Sequence, residues 1–136
     1  AIKELKKALD IPVFANGDIT SVEDAIKCKE LTNCDGIMIG RGVLGNPDLI
    51  SRVEHYFETG EIIPEPSLKT RIEILKRHIE KEIHYRTEYN AMKFMRKFYS
   101  HYIKGVRNAA ALRDVLVREE DINAVIKILD EISNNG

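Results

Sequence analysis

The sequence predicts an α/β segment followed by an all-α segment, on three observations. Two short apolar runs of β-favouring residues, IPVFAN (11–16) and CDGIMIG (34–40), each lead into a stretch of helical character. The stretch TGEIIPEPS (59–67) carries two prolines and a glycine with no helical period, so it reads as a linker. From Leu68 onward, apolar residues recur at three- and four-residue steps almost to the end.

Taken in order, AIKELKKALD reads as the tail of a helix, and the chain is expected to be a piece of something longer. Proline stands at the edge of the first apolar run, where a missing N–H costs least. A helix begins in GDITSVEDAIKCKEL. Thr20 or Ser21 caps it, with Glu23 or Asp24 three residues on at capping-box spacing. After the second strand, GNPDLISRVEHYF predicts a helix with Asn46 as N-cap and Pro47 at the first helical position. Leu49, Ile50, Val53, Tyr56 and Phe57 are expected on one face of it. Alternating strands and helices with buried-looking strands imply parallel pairing through a right-handed crossover. Two strands do not close such a sheet. Either further strands lie outside this chain, or it self-associates through exposed strands, or residues 1–45 are disordered.

Past the linker, Leu68, Ile72, Leu75, Ile79 and Ile83 predict a helix over 68–86. Met92, Met95, Phe98 or Tyr99, and Tyr102 predict another over 90–103, ended by Gly105. A shorter helix covers about 108–117, and a last one, about 119–133, rests on Ile122, Val125, Ile126, Leu129 and Ile132. Four antiparallel helices joined by short turns make a small four-helix bundle.

The 136 residues are 43% apolar, enough for one ordinary domain or two small ones. Their formal net charge of −1 excludes an overall polycation. The charge is nevertheless uneven. Residues 88–118 hold seven Lys or Arg against two Asp or Glu, while 1–58 and 119–136 are net acidic. Such asymmetry points towards an anionic partner. Cys28 and Cys34 form neither a disulfide framework nor a metal spacing; they read as small core hydrophobes in a reducing cytoplasm. His55, His78, His84 and His101 lack metal-ligand spacing and are expected at the surface or half-buried. No signal-peptide pattern opens the chain, and no apolar run approaches the roughly 20 residues needed to span a membrane.

Both strands end in backbone-permissive loops, Asn16-Gly17-Asp18 and Gly40-Arg41-Gly42. Ligands of parallel α/β folds collect at the carboxyl ends of strands. Glycine there lets N–H groups approach an anion, and Arg41 offers a bidentate contact to phosphate oxygens. Two such adjacent loops form a phosphate cup, as at the last two strands of a TIM (β/α)8 barrel. The plainer alternative is that tight βα turns need glycine regardless of any ligand. Asp18 opposes a phosphate, so its expected role is capping or accepting backbone hydrogen bonds.

In the basic segment, Lys93, Arg96, Lys97 and Lys104 recur at three-, four- and seven-residue steps, placing several on one face opposite Met92, Met95 and Tyr99. Arg107, Arg113 and Arg118 follow within a few turns. A positive stripe suits a phosphodiester backbone, and Tyr99, His101 or Tyr102 could stack on bases. A solvated helix face is the plainer reading.

IPVFANGDITSVEDA…CDGIMIGRGVLGNPDLI resembles the end of the flavin-binding barrel of the tRNA-dihydrouridine synthases, and MKFMRKFYSHYIKGVRNAAALRDVL resembles their C-terminal helical domain, most like the bacterial B-type enzymes. The resemblance implies three parts. Residues 1–58 would be the last two βα units of an FMN-binding TIM barrel, 59–67 a linker, and 68–136 a helical tRNA-binding domain. It implies that Asn16, Gly17, Asp18, Gly40 and Arg41 surround the FMN phosphate. It further implies that Lys93, Arg96, Lys97, Arg107 and Arg113 grip tRNA. NADPH would be the reductant and uridine the group reduced. The family's catalytic cysteine lies in earlier strands, so no catalytic residue falls in this chain, and the chain alone is expected to be inactive. Two rival readings are another FMN- or phosphate-binding barrel oxidoreductase acting on a small metabolite, and a non-catalytic RNA-binding module.

Overall fold

The computed structural model describes residues 1–135. It is mostly helical, with one small parallel sheet, and divides into two compact units, residues 1–64 and the stretch from Glu65 onward.

The first unit runs α1 (Ile2–Ala8), β1 (Phe14–Asn16), α2 (Val22–Thr32), β2 (Gly36–Met38), a single 3-10 turn (Arg41–Val43) and α3 (Leu49–Thr59). The strands pair parallel, Phe14 against Gly36 and Asn16 against Met38. Ser21 caps α2: its side chain accepts from the Asp24 N–H, and the Asp24 carboxylate accepts from the Ser21 and Thr20 N–H groups. These donors, Thr20 foremost, hold the Asp24 carboxyl below its ordinary pKa. Asn33 ends the helix in the left-handed conformation that asparagine tolerates. Asp35 ties the start of the unit to β2, accepting from Lys6 at 2.8 Å and from the Val13 N–H at 2.6 Å. Ile19, Val22, Ala25, Leu49 and Val53 form the buried core, with Cys28 and Ile37 packed against it; Cys34 is fully buried.

Helix α3 departs from expectation at its start. Asp48 is its N-cap residue, not Asn46, and Asn46 is buried. Of the expected apolar face, Leu49 and Val53 are buried, while Ile50 and Phe57 are exposed; Arg52 takes a place in the interior instead.

The second unit contains α4 (Leu68–Tyr85), α5 (Glu88–Met95), α6 (Tyr99–Tyr102), α7 (Ala109–Arg118) and α8 (Ile122–Asn135). It has five helical segments rather than four, because the stretch 90–103 breaks at residues 96–98. There the N–H groups of Phe98 and His101 bond three residues back, to Met95 and Phe98, in tighter turns than an α-helix makes. Ser67 caps α4 and Thr87 caps α5 through their hydroxyls. Helix α4 packs against α5, α6 and α8, and α6 against α7. The core is Ile72, Leu75, Ile79, Met92, Met95, Tyr99, Tyr102, Ile103, Leu116, Val125, Leu129 and Ile132. Lys76 of α4 pairs with Asp130 of α8. Helix α6 ends at a cap on Ile103 rather than at Gly105, which lies two residues further on with φ +73°, a conformation that favours glycine. No helix among the described residues is long and apolar enough to cross a membrane.

Candidate functional sites

In the first unit, parallel pairing sets the carboxyl ends of β1 and β2 side by side, so the two glycine loops meet. Their contact explains one glycine. A Cβ on Gly42 would stand 1.9 Å from the Ile19 carbonyl oxygen, so packing of the loops alone excludes a side chain there. Gly17 and Gly40 differ, because a Cβ at either would meet nothing within 4 Å. Both are exposed, as are Asn16, Asp18 and Arg41. Asp18 neither caps a helix nor takes the expected backbone hydrogen bonds; its carboxylate accepts from Arg41 Nη2 at 2.6 Å. The capping role belongs to Ser21 and Asp24. Open backbone at two glycines beside an exposed guanidinium fits an anionic phosphate, which would compete with Asp18 for Arg41.

Nearby in sequence, a buried arginine escaped the sequence reading. Arg52 is 4% exposed; its Nη2 donates to Asn46 Oδ1 at 2.8 Å. Its Nε lies 3.0 Å from Asp48 Oδ2, an ion pair by distance but out of hydrogen-bond alignment. Asp48 thus neutralises a charge inside the unit, and the neutral Asn46 amide satisfies one of its donors. The available signal was Asp48 and Arg52 at i,i+4.

In the second unit the five residues expected to grip tRNA fall into three groups. Lys93 lies over the Tyr89 ring at 4.3 Å, and Lys97 over Phe94 at 3.9 Å, so α5 and the break that follows it present ammonium groups backed by aromatic faces. Arg96 and Arg113 line one cavity of about 320 Å³ with Tyr99, Ser100, Ala110, Asp114 and Val117. Arg107 is apart from these, at a cavity of about 420 Å³ lined by Leu68, Val106 and Leu112 among others. The expectation that Tyr99 or Tyr102 stacks on bases fails for both, because both are buried in the core. Burial pushes the Tyr99 hydroxyl up to about 12 against the opposing charge of Arg96, and raises Tyr102 likewise. Exposed aromatic rings stand instead at Tyr85 and Tyr89, around the α4–α5 turn. His101 is half-buried. Among the described residues, no group of three or more His, Cys, Asp or Glu could hold a metal ion.

The chain thus joins two parallel strands ending in open glycine loops to a helical unit that carries exposed cations. It belongs to the dihydrouridine synthase family, whose profile matches residues 1–135. It is 39% identical over 124 residues to a probable tRNA-dihydrouridine synthase of Rickettsia bellii, covering 91% of this chain and 38% of that protein. It is 38% identical over 130 residues to probable tRNA-dihydrouridine synthase 1 of Synechocystis, covering 96% of this chain and 36% of that protein. Against tRNA-dihydrouridine synthase B of Pasteurella multocida it is 43% identical over 108 residues, 78% of this chain and 32% of that protein. The chain thus spans about a third of the length of these curated relatives.

Proposed function

We propose that this chain is the C-terminal portion of a tRNA-dihydrouridine synthase, a cytoplasmic oxidoreductase that reduces uridine to 5,6-dihydrouridine in tRNA. In this reading residues 1–58 complete a TIM barrel, 59–67 link, and 68–136 bind tRNA. The observation that carries it is the family match over residues 1–135, which runs through both units. Asn16, Gly17, Asp18, Gly40 and Arg41 surround the phosphate of FMN: the glycines admit it to the backbone, and Arg41 turns from Asp18 to meet it. Bound there, FMN supplies hydride exchange with the uracil ring, with NADPH as the source of reducing equivalents. Lys93, Arg96, Lys97, Arg107 and Arg113 neutralise tRNA phosphates. A small-metabolite enzyme would have no use for the seven basic residues of 88–118. No catalytic residue is assigned within the chain, which by itself does not reduce uridine.

The test is a tRNA-binding titration of the chain at two salt concentrations. Neutralised phosphates release counterions, so binding weakens steeply with salt, and it falls when Lys93, Arg96 and Lys97 are replaced together. Salt-independent binding, or binding indifferent to the triple replacement, removes the helical unit from tRNA recognition.

A further inference from the structure

Cys28 and Cys34 have no telling spacing in the sequence, yet the end of α2 brings them together. The helix closes on Asn33 in the left-handed conformation, with its N–H bonded to the Lys29 carbonyl at 2.8 Å. A cap of this kind turns the chain back, so that the residue after the left-handed one meets the side chains of the final helical turn. Here it sets Cys34 against Lys29 and Cys28. Thr32 clips the same two cysteines through their backbones: its hydroxyl donates to the Cys28 carbonyl at 2.6 Å and accepts from the Cys34 N–H at 3.2 Å. Lys29 completes the turn by donating to the Cys34 carbonyl. Burial raises the pKa of the Cys28 thiol, and the Cys34 thiol is near enough to raise it further.

The two thiols differ in access. Cys34 is fully buried, while Cys28 is half-buried and is the sulfur that an outside reagent reaches first. A thiol held protonated attacks slowly, so the pair answers a sustained change in thiol–disulfide balance rather than a brief oxidant pulse. The loop from 28 to 34 is short, so closing it removes little entropy from the unfolded chain, and a reductant reopens the bond.

We propose that Cys28 and Cys34 form a reversible disulfide that staples the end of α2 to the approach of β2 when a small disulfide such as oxidised glutathione accumulates. The Cys28 sulfur, losing its proton, attacks one sulfur of oxidised glutathione; a mixed disulfide forms and one glutathione leaves with that proton. The Cys34 sulfur, losing its own proton, then attacks the Cys28 sulfur and expels the second glutathione. Two protein thiols are oxidised, and one glutathione disulfide is reduced to two glutathiones. The staple fixes Cys34 and its neighbour Asp35, whose carboxylate holds Lys6 and the Val13 N–H. Val13 and Asp35 directly precede β1 and β2, so the amino ends of both strands are fixed with it.

The test equilibrates the chain with glutathione at graded oxidised-to-reduced ratios without denaturant, blocks free thiols with an alkylating agent and weighs the product. Both thiols should vanish together, in a product two hydrogens lighter and free of glutathione. Trypsin cuts after Lys27, Lys29 and Arg41, so the bond should join peptide 28–29 to peptide 30–41. Cys34→Ala should stop with one glutathione on Cys28, and Cys28→Ala should keep a free Cys34. If either variant fails to fold by circular dichroism, the linked peptide of the native chain decides. Two thiols that persist in oxidised glutathione, a glutathione on each cysteine, a bond between chains, or a disulfide formed only in urea each overturns the staple.

Discussion

Arg41 and Asp18 bridge the two glycine loops at 2.6 Å, with both side chains 85% exposed. A pair so open to water contributes on the order of 0–1 kcal/mol, so stability does not account for it. Asp18→Asn should therefore shift the unfolding free energy of the chain by less than about 1 kcal/mol, measured by urea titration. On the proposed reading, the same pair holds the guanidinium at the cup mouth. Arg41→Ala in a complete synthase should lower flavin affinity about tenfold or more, the worth of a charge-assisted bond. Unchanged flavin occupancy would take Arg41 out of the site.

Arg52 is the opposite case, a charge buried with its partners. Arg52→Met keeps the apolar stem but leaves Asp48 Oδ2 and Asn46 Oδ1 facing the space the guanidinium filled. Breaking a fully buried pair costs about 3–5 kcal/mol, and Asp48 is a third exposed, so a loss near the lower end is expected. Hydrogen exchange of the α3 amides should accelerate accordingly. In a double variant with Asp48→Asn, the loss should be smaller than the sum of the two single effects. Full additivity would show that the pair is not coupled.

How far the sequence reads correctly follows from which interactions are local. The capping box spans three residues, so its spacing narrowed the cap to Thr20 with Glu23 or Ser21 with Asp24, and the structure has Ser21 with Asp24. The stripe of Ile72, Leu75 and Ile79 marked the buried face of α4 for the same reason. Asn46 misled because its amide is claimed by Arg52 six residues on, which leaves the helix to begin after Asp48. The break at 96–98 was hidden in the apolar spacing: Met92, Met95 and Phe98 stand three apart, and steps of three suit the tight turn as well as the α-helix. Tyr99 and Tyr102 do not stack on bases because they share the periodicity of Met92 and Met95 and are buried in the core with them. For the sites, sequence named the loops and the cations. It could not show that Gly42 serves packing while Gly17 and Gly40 stand open, nor that Arg96 and Arg113 share a cavity.

His78 gives a pH dependence with a definite sign. Burial among Phe98 and Tyr102 lowers its pKa below the ordinary 6.5, with Glu82 at 3.7 Å opposing the shift. The folded state thus binds fewer protons than the unfolded state as pH falls through 6.5. The resulting contribution is complete above that value, declines as pH drops through it, and levels off below the folded pKa. Urea midpoints at pH 7.5 and pH 5.5 should differ more in the native chain than in His78→Gln. An equal difference would show that other groups set the acid limb.

Phe14 and Met38 lie on paired strands and are 64% and 58% exposed, an apolar surface on a sheet of only two strands. The Phe14 ring covers Gly36, where a Cβ would stand 2.3 Å from it, so Phe14 is committed to its neighbour and Met38 is the freer of the two. Among the described residues each strand has a single partner, which leaves one edge of each with unpaired N–H and C=O groups. Apolar faces beside open edges recruit another strand, and the isolated chain should self-associate. Sedimentation velocity should show a mass that rises with concentration and changes little with salt, because apolar contact is not screened as charge is. Met38→Lys puts charge on the edge and should return the chain towards monomer with α4 to α8 undisturbed by circular dichroism. A native chain that remains monomeric across the concentration range would show that the two strands are sufficient as they stand.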